Sequence, residues 1–124
     1  MQRSISQMHY WLTRVFLVGL LIQLYLAGAP MFGVTSFQPH RMLGVGLTVL
    51  AFFFPVLALV GRLGRQRLGL SILLVVLFLV QGTLPMLRGT VSWIAALHAV
   101  NALALMGVSA ALGRQGRAEP VRAN

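Results

Sequence analysis

Ten arginines and no lysines divide this chain into four long stretches without a charged residue, 15–40, 42–61, 68–87 and 89–113. Each is long enough for a helix to cross the roughly 30 Å hydrocarbon core of a bilayer. Backbone inside lipid must satisfy its own hydrogen bonds, which leaves helices or closed barrels. Residues 73–80 show no apolar/polar alternation of the barrel kind. The expected fold is therefore an all-α membrane protein, an up-down-up-down bundle of four transmembrane helices over about 10–29, 37–61, 68–84 and 93–112. Residues 1–9 read as a polar lead and 113–124 as a polar cytoplasmic tail, with the whole chain as one domain.

The arginines also set the expected orientation. With the N-terminus inside, Arg3, Arg14, Arg62, Arg65, Arg67, Arg114, Arg117 and Arg122 are cytoplasmic, and only Arg41 and Arg88 lie outside. That positive-inside bias predicts both termini in the cytoplasm. A pI near 12 suggests nucleic acid at first sight, but these arginines flank membrane spans and suit anionic headgroups instead, so no nucleic-acid partner is expected. The Ala27-Gly28-Ala29 sequence imitates a signal-peptide cleavage site, but Pro30 directly after it argues for retention of helix one.

Turn chemistry marks the ends. Ala29-Pro30 stops helix one, Ser36 and Pro39 start helix two, Pro55 predicts a kink within it, Pro85 closes helix three, and Ser92 caps helix four. The tetrapeptide Leu-Gly-Arg-Gln occurs at 63–66 and 112–115, but at unequal distances from the preceding histidines, so no internal duplication is inferred.

Against this apolar scaffold two ionisable groups stand out. His40 and His98 sit near the starts of helices two and four, which a four-helix bundle places diagonally with both histidines on the extracytoplasmic side. Ionisable groups at membrane depth tend to mark function, and neutral imidazole is a strong ligand for iron, copper or zinc. Two such ligands across a core suit haem, whose axial ligation needs no carboxylate or thiolate. Gly44 and Ala102, each four residues after a histidine, leave clearance for a ring on the same helical face. Arg41 and Arg88 can pair with propionates, and Gln23, Gln81 and Asn101 can orient an imidazole or bond a propionate. Counting back from Arg62 and Arg114 leaves the histidines roughly 9 Å apart in height, a gap that helix tilt and the Pro55 kink would have to absorb. His9, beside Tyr10 and Trp11, reads as an interfacial anchor, as does Trp93.

Other chemistries find little footing. There is no cysteine and no aspartate, and the one acidic residue is Glu119, which removes thiolate sites, paired-carboxylate catalysis and a serine triad. Glycines 19, 28, 44, 46, 61, 69 and 107 suit helix packing, and Met42, Met86 and Met106 suit core filling. A quinone pocket lined by Gln23, Gln81 and Asn101 is a further alternative.

His40-Arg41 followed by Gly44, and Leu97-His98 leading into Asn101-Ala102-Leu103, resemble one four-helix half of haem A synthase. That family carries histidine ligands on the second and fourth helices of each half, the first often in a His-Arg pair. The resemblance implies haem ligation by His40 and His98. The glutamate that the family holds three residues before a His-Arg histidine is Phe37 here, so the family's oxygenase chemistry is not implied. Gln23 to Gly28 also fits the Gln-x-Tyr/Phe-Leu-Ala-Gly pattern of small uncharacterised bacterial four-helix membrane proteins. The chain is thus expected to be a b-type haem protein in electron transfer or haem sensing, with a redox partner or a larger membrane complex. The alternative is a cofactor-free accessory subunit.

Overall fold

The computed structural model describes residues 1–117, which are helical with no strand. Residues 118–124, including Glu119 and Arg122 of the expected tail, lie outside the described residues. Helix α1 runs over Gln2–Gly28, α2 over Gln38–Ala51, α3 over Phe53–Val60, α4 over Arg65–Thr83, α5 over Ser92–Ala95 and α6 over Leu97–Arg117. With their adjoining turns they form four helical segments long and apolar enough to cross a membrane: Gln2–Phe32, Gln38–Val60, Arg65–Gly89 and Ser92–Gln115. Two expected ends are corrected. Helix α1 begins at Gln2, so there is no polar lead, and α6 continues through 113 to Arg117.

The breaks follow from missing donors and from turn residues. Pro55 has no N–H to give the Ala51 carbonyl, so α2 stops at Ala51 and α3 begins at Phe53, with Phe52 N donating instead to Val49 O at 3.3 Å. The Ala29–Phe32 turn ends at Gly33, whose φ of 70° is one that glycine adopts without steric cost. Neither expected serine cap forms: the N-cap of α2 is Phe37, with Ser36 Oγ one residue earlier accepting from Gln38 N at 3.3 Å, and Ser92 Oγ donates backwards to Arg88 O at 2.9 Å. Helix α3 ends in a Schellman arrangement, with Leu63 N bonded to Ala58 O and Arg62 N to Leu59 O. Its left-handed position is held by Arg62, at φ 48°, where glycine would be the usual residue. That substitution costs on the order of 1 kcal/mol.

Helix α1 packs on α2–α3 and on α6, and α4 packs on the same two, while the diagonal pairs α1/α4 and α2–α3/α6 do not touch through their backbones. Edge-to-face aromatic contacts fill the centre. Phe16 meets Phe54 at 5.1 Å and Phe78 at 5.4 Å, and Phe54 meets His9 at 5.3 Å. Leu20, Leu47, Ala51, Leu74, Leu105 and Leu112 complete the buried core. The outward faces are apolar as well, with Val15, Val45, Leu59, Val60, Val100 and Leu103 exposed. A helix apolar on every side belongs in an apolar solvent.

The second pair of helical segments repeats the first 58 residues on (16 to 74, 54 to 112). Buried Thr13, Phe16 and Leu20 are matched by buried Ser71, Leu74 and Phe78, and Leu47, Ala51 and Phe54 by Leu105, Ser109 and Leu112. Thr13 Oγ1 donates to His9 O at 2.8 Å, and Ser71 Oγ to Arg67 O at 2.7 Å. The helix neighbours correspond too, which is the pattern of an approximate two-fold axis. This corrects the inference from the Leu-Gly-Arg-Gln segments. What recurs is the set of buried positions, with large and small partners exchanged between halves, and not a string of identical residues.

A Cβ on Gly61 would lie 2.7 Å from Ile5 Cγ2 and 2.8 Å from the Leu57 carbonyl oxygen, whereas one on Gly46 meets nothing within 4 Å. Gly61→Ala is expected to destabilise the bundle by about 1–3 kcal/mol. Gly46→Ala, inside α2, is expected to stabilise it by up to about 1 kcal/mol. Thermal unfolding of both variants in one detergent checks the difference in sign.

Candidate functional site at the histidine pair

The two hairpin connections bring both histidines to one end of the bundle. Gln23 lies in the penultimate turns of α1 and His40 in the first turn of α2; Gln81 lies at the end of α4 and His98 in the first turn of α6. In each half the histidine follows its glutamine by 17 residues and bonds to that glutamine's backbone. His40 Nδ1 is 3.1 Å from Gln23 O, and His98 Nδ1 is 3.0 Å from Gln81 O. A carbonyl oxygen can only accept, so Nδ1 carries a proton in both rings, which places the lone pair of the neutral form on Nε2. The ring centroids are 6.1 Å apart, with the planes at 66°. Both residues are half-buried.

The glutamine side chains then differ between halves. Gln81 Nε2 lies 3.1 Å from His98 Nε2 and donates to it, while Gln81 Oε1 accepts from Asn101 Nδ2 at 2.7 Å. Asn101 Nδ2 also reaches Leu77 O at 2.9 Å. Gln23 Nε2 instead donates to the His40 carbonyl at 2.8 Å, and its Oε1 is buried without a partner. The residue corresponding to Asn101 in the first half is Leu43, which has no donor to offer. His40 Nε2 makes no hydrogen bond among the described residues.

The remaining expected residues sit as follows. Gly44 makes room for Gln23, whose Nε2 is 2.8 Å from where a Cβ would stand, and Ala102 is half-buried beside Asn101. Arg41 and Arg88 are exposed, Arg41 next to His40 and Arg88 in the turn after α4. The height difference expected from arginine counting is not seen, because α3 ends at Val60 whereas Arg114 lies inside α6, which continues to Arg117. Arg62 and Arg114 are therefore not equivalent levels.

His9 is not an interfacial anchor. It is 1% exposed, stacked edge-on against Phe54, with Nε2 3.4 Å from Ser71 Oγ. Nearby Arg67, 6% exposed, donates to Ser6 Oγ at 2.9 Å and to Gln115 O at 2.7 Å. This second buried polar cluster, at the opposite end of the bundle, was missed in the sequence because Arg67 was counted among turn arginines. The signal that could have found it is the 58-residue correspondence of His9 with Arg67.

The sequence profile of a family of unknown function, DUF6220, matches residues 23–88, which is more than half of the chain. The chain belongs to the DUF6220 family. The matched segment holds Gln23, His40 and Gln81, and His98 falls beyond it. No curated protein and no solved structure matches this DUF6220 chain.

The Asn101–Gln81 bond predicts energetic coupling. In a double-mutant cycle with Asn101→Leu and Gln81→Leu, the expected coupling is about 0.6–1.7 kcal/mol, the range found for hydrogen bonds between membrane helices. Reversible unfolding in mixed micelles measures it. The pair Leu43→Asn and Gln23→Leu is the matched control, and Leu43→Asn alone is expected to stabilise by giving Gln23 Oε1 a donor.

Proposed function

We propose that this DUF6220 protein is a b-type haem-binding protein of a bacterial inner membrane, with His40 and His98 as the axial ligands and both termini in the cytoplasm. Its task in this reading is electron transfer or haem sensing, with a redox partner or larger membrane complex to match. The observation that carries it is the spacing of the imidazoles. The ring centroids of His40 and His98 are 6.1 Å apart at one end of the bundle, close enough for both imidazoles to hold one metal centre. The Nδ1–H bonds to Gln23 O and Gln81 O support it further, since metal-ligating histidines almost always donate their other ring N–H in this way and become better ligands for it.

Donor count argues for haem over a bare ion. Among the described residues no group of three or more metal-ligating side chains occurs, and two imidazoles fall short of the three or four protein ligands of zinc sites. A porphyrin brings its own four nitrogens and needs only the axial pair. When bound, haem supplies a one-electron couple. The chain's own residues would then have distinct tasks: His40 and His98 would hold the iron, the two glutamine carbonyls keep Nδ1 of each ring as the donor, and Arg41 and Arg88, both exposed, would meet propionates. The resemblance of His40-Arg41 and Leu97-His98 to a half of haem A synthase points the same way. One contact favours the alternative of a cofactor-free accessory subunit: Gln81 Nε2 already satisfies the His98 lone pair, and must turn away if a metal takes its place.

Purified protein supplemented with haemin is expected to develop a Soret band with a low-spin signal. His98→Ala should convert it to high spin, and His40→Ala with His98→Ala should abolish it. No Soret band in the wild-type protein would sink the reading and leave the accessory subunit. Orientation has its own test, because the chain has no cysteine of its own. Thr35→Cys is expected to react with a membrane-impermeant maleimide on intact cells, and Gln66→Cys only after lysis; the reverse pattern inverts the orientation.

A further inference from the structure

At the end of the bundle away from the histidines, the first turns of α1 and the α3–α4 turn enclose a cleft of about 380 Å³, within the range of ligand-sized clefts, roughly 300–1,000 Å³. Its lining includes Arg3, Arg62, Ser6 and Gln2, with Gly61 and Gly64 as backbone wall. Neither Arg3 nor Arg62 takes part in any ion pair or hydrogen bond through its side chain among the described residues. Behind the lining residue Ser6, the buried guanidinium of Arg67 donates to Ser6 Oγ at 2.9 Å, so a third positive charge lies one side chain away from the cleft. Among the described residues no acidic side chain lines the cleft.

The backbone adds an independent sign. Arg62 occupies the left-handed position of the Schellman turn at φ 48°, where glycine is the unstrained residue. Two residues on, Gly64 sits at φ 90°. A glycine is thus present in this turn, yet the position that most favours one carries an arginine that lines the cleft. Strain held at such a position commonly accompanies a functional side chain.

From this lining we infer that the cleft binds the phosphate of an anionic phospholipid headgroup, with Arg3 and Arg62 as the contacting cations. Guanidinium is the side chain best shaped for phosphate oxygens, and basic pockets between helices at a membrane surface are where acidic headgroups bind. The phosphate chemistry is shared with soluble phosphates. The lipid source follows from the apolar outer faces of α1 and α3, where Val15, Leu59 and Val60 are exposed and acyl chains can lie. This inference rests on the membrane part of the proposed function and not on haem.

The test uses the full chain in phosphatidylcholine nanodiscs doped with phosphatidylglycerol, with retained lipid read by native mass spectrometry and stability by thermal unfolding. Wild-type protein is expected to retain phosphatidylglycerol over phosphatidylcholine. Arg3→Gln and Arg62→Gly should each weaken retention about fivefold, the effect of removing one surface cation. Arg62→Gly should at the same time unfold at a higher temperature in phosphatidylcholine alone, because it relieves the left-handed strain. That opposite movement of stability and retention is what a merely structural arginine would not produce. Equal retention of both lipids, or unchanged retention in both variants, overturns the headgroup site. Inorganic phosphate or glycerol phosphate protecting as well as the lipid does would overturn the lipid assignment in favour of a soluble anion. Failure of the protein to enter phosphatidylcholine discs overturns the membrane reading, and the site with it.

Discussion

Phe16 is the point from which the packing of this molecule is held. Its ring takes an edge-to-face partner from the second helical segment, Phe54, and another from the third, Phe78. Between helices in an apolar solvent there is little hydrophobic drive, so association depends on close contact and on polar bonds. The aromatic contacts give three of the four segments a common centre. The fourth closes on them through Leu105 and Leu112. With that centre fixed, both ends of the bundle are fixed, and the ends carry the polar groups.

The two ends solve the problem of polar side chains in an apolar chain differently. At one, backbone carbonyls of Gln23 and Gln81 hold the Nδ1 atoms of two imidazoles, while Gln81 Nε2 meets His98 Nε2 and His40 Nε2 makes no hydrogen bond among the described residues. At the other, Ser6, His9, Arg67 and Ser71 bond to one another, and Arg67 also bonds to the Gln115 carbonyl in α6. The structural repeat accounts for the likeness of the histidine half-sites, and its departures account for their difference. Asn101 has Leu43 opposite, so one glutamine amide is held against its histidine and the other is left with a buried unpartnered oxygen. Such an orphan in a buried network is costly.

Much of this was legible in the residues. The uncharged stretches gave the number of long helices, Pro55 gave the break in the second, and His40, His98, Gln23, Gln81 and Asn101 were singled out and lie together. Arginine positions mislead about helix ends: α1 starts before Arg3 and α6 runs past Arg114, because an arginine can stay helical while its long side chain reaches polar surroundings. Arg67 reads as a turn residue for the same reason, whereas His9 reads as an anchor from its neighbours Tyr10 and Trp11 and is instead buried against Phe54.

The sequence by itself determined that the chain is helical and apolar on all sides, since lengths, charges and proline positions act locally along the backbone. Only the tertiary structure decided which atom of each histidine is engaged, that the rings approach to 6.1 Å across the diagonal, and that Arg67 is buried while Arg3 and Arg62 line a cleft. Those facts depend on how segments 58 residues apart pack around one aromatic centre. Local periodicity carries no information about distances across that centre.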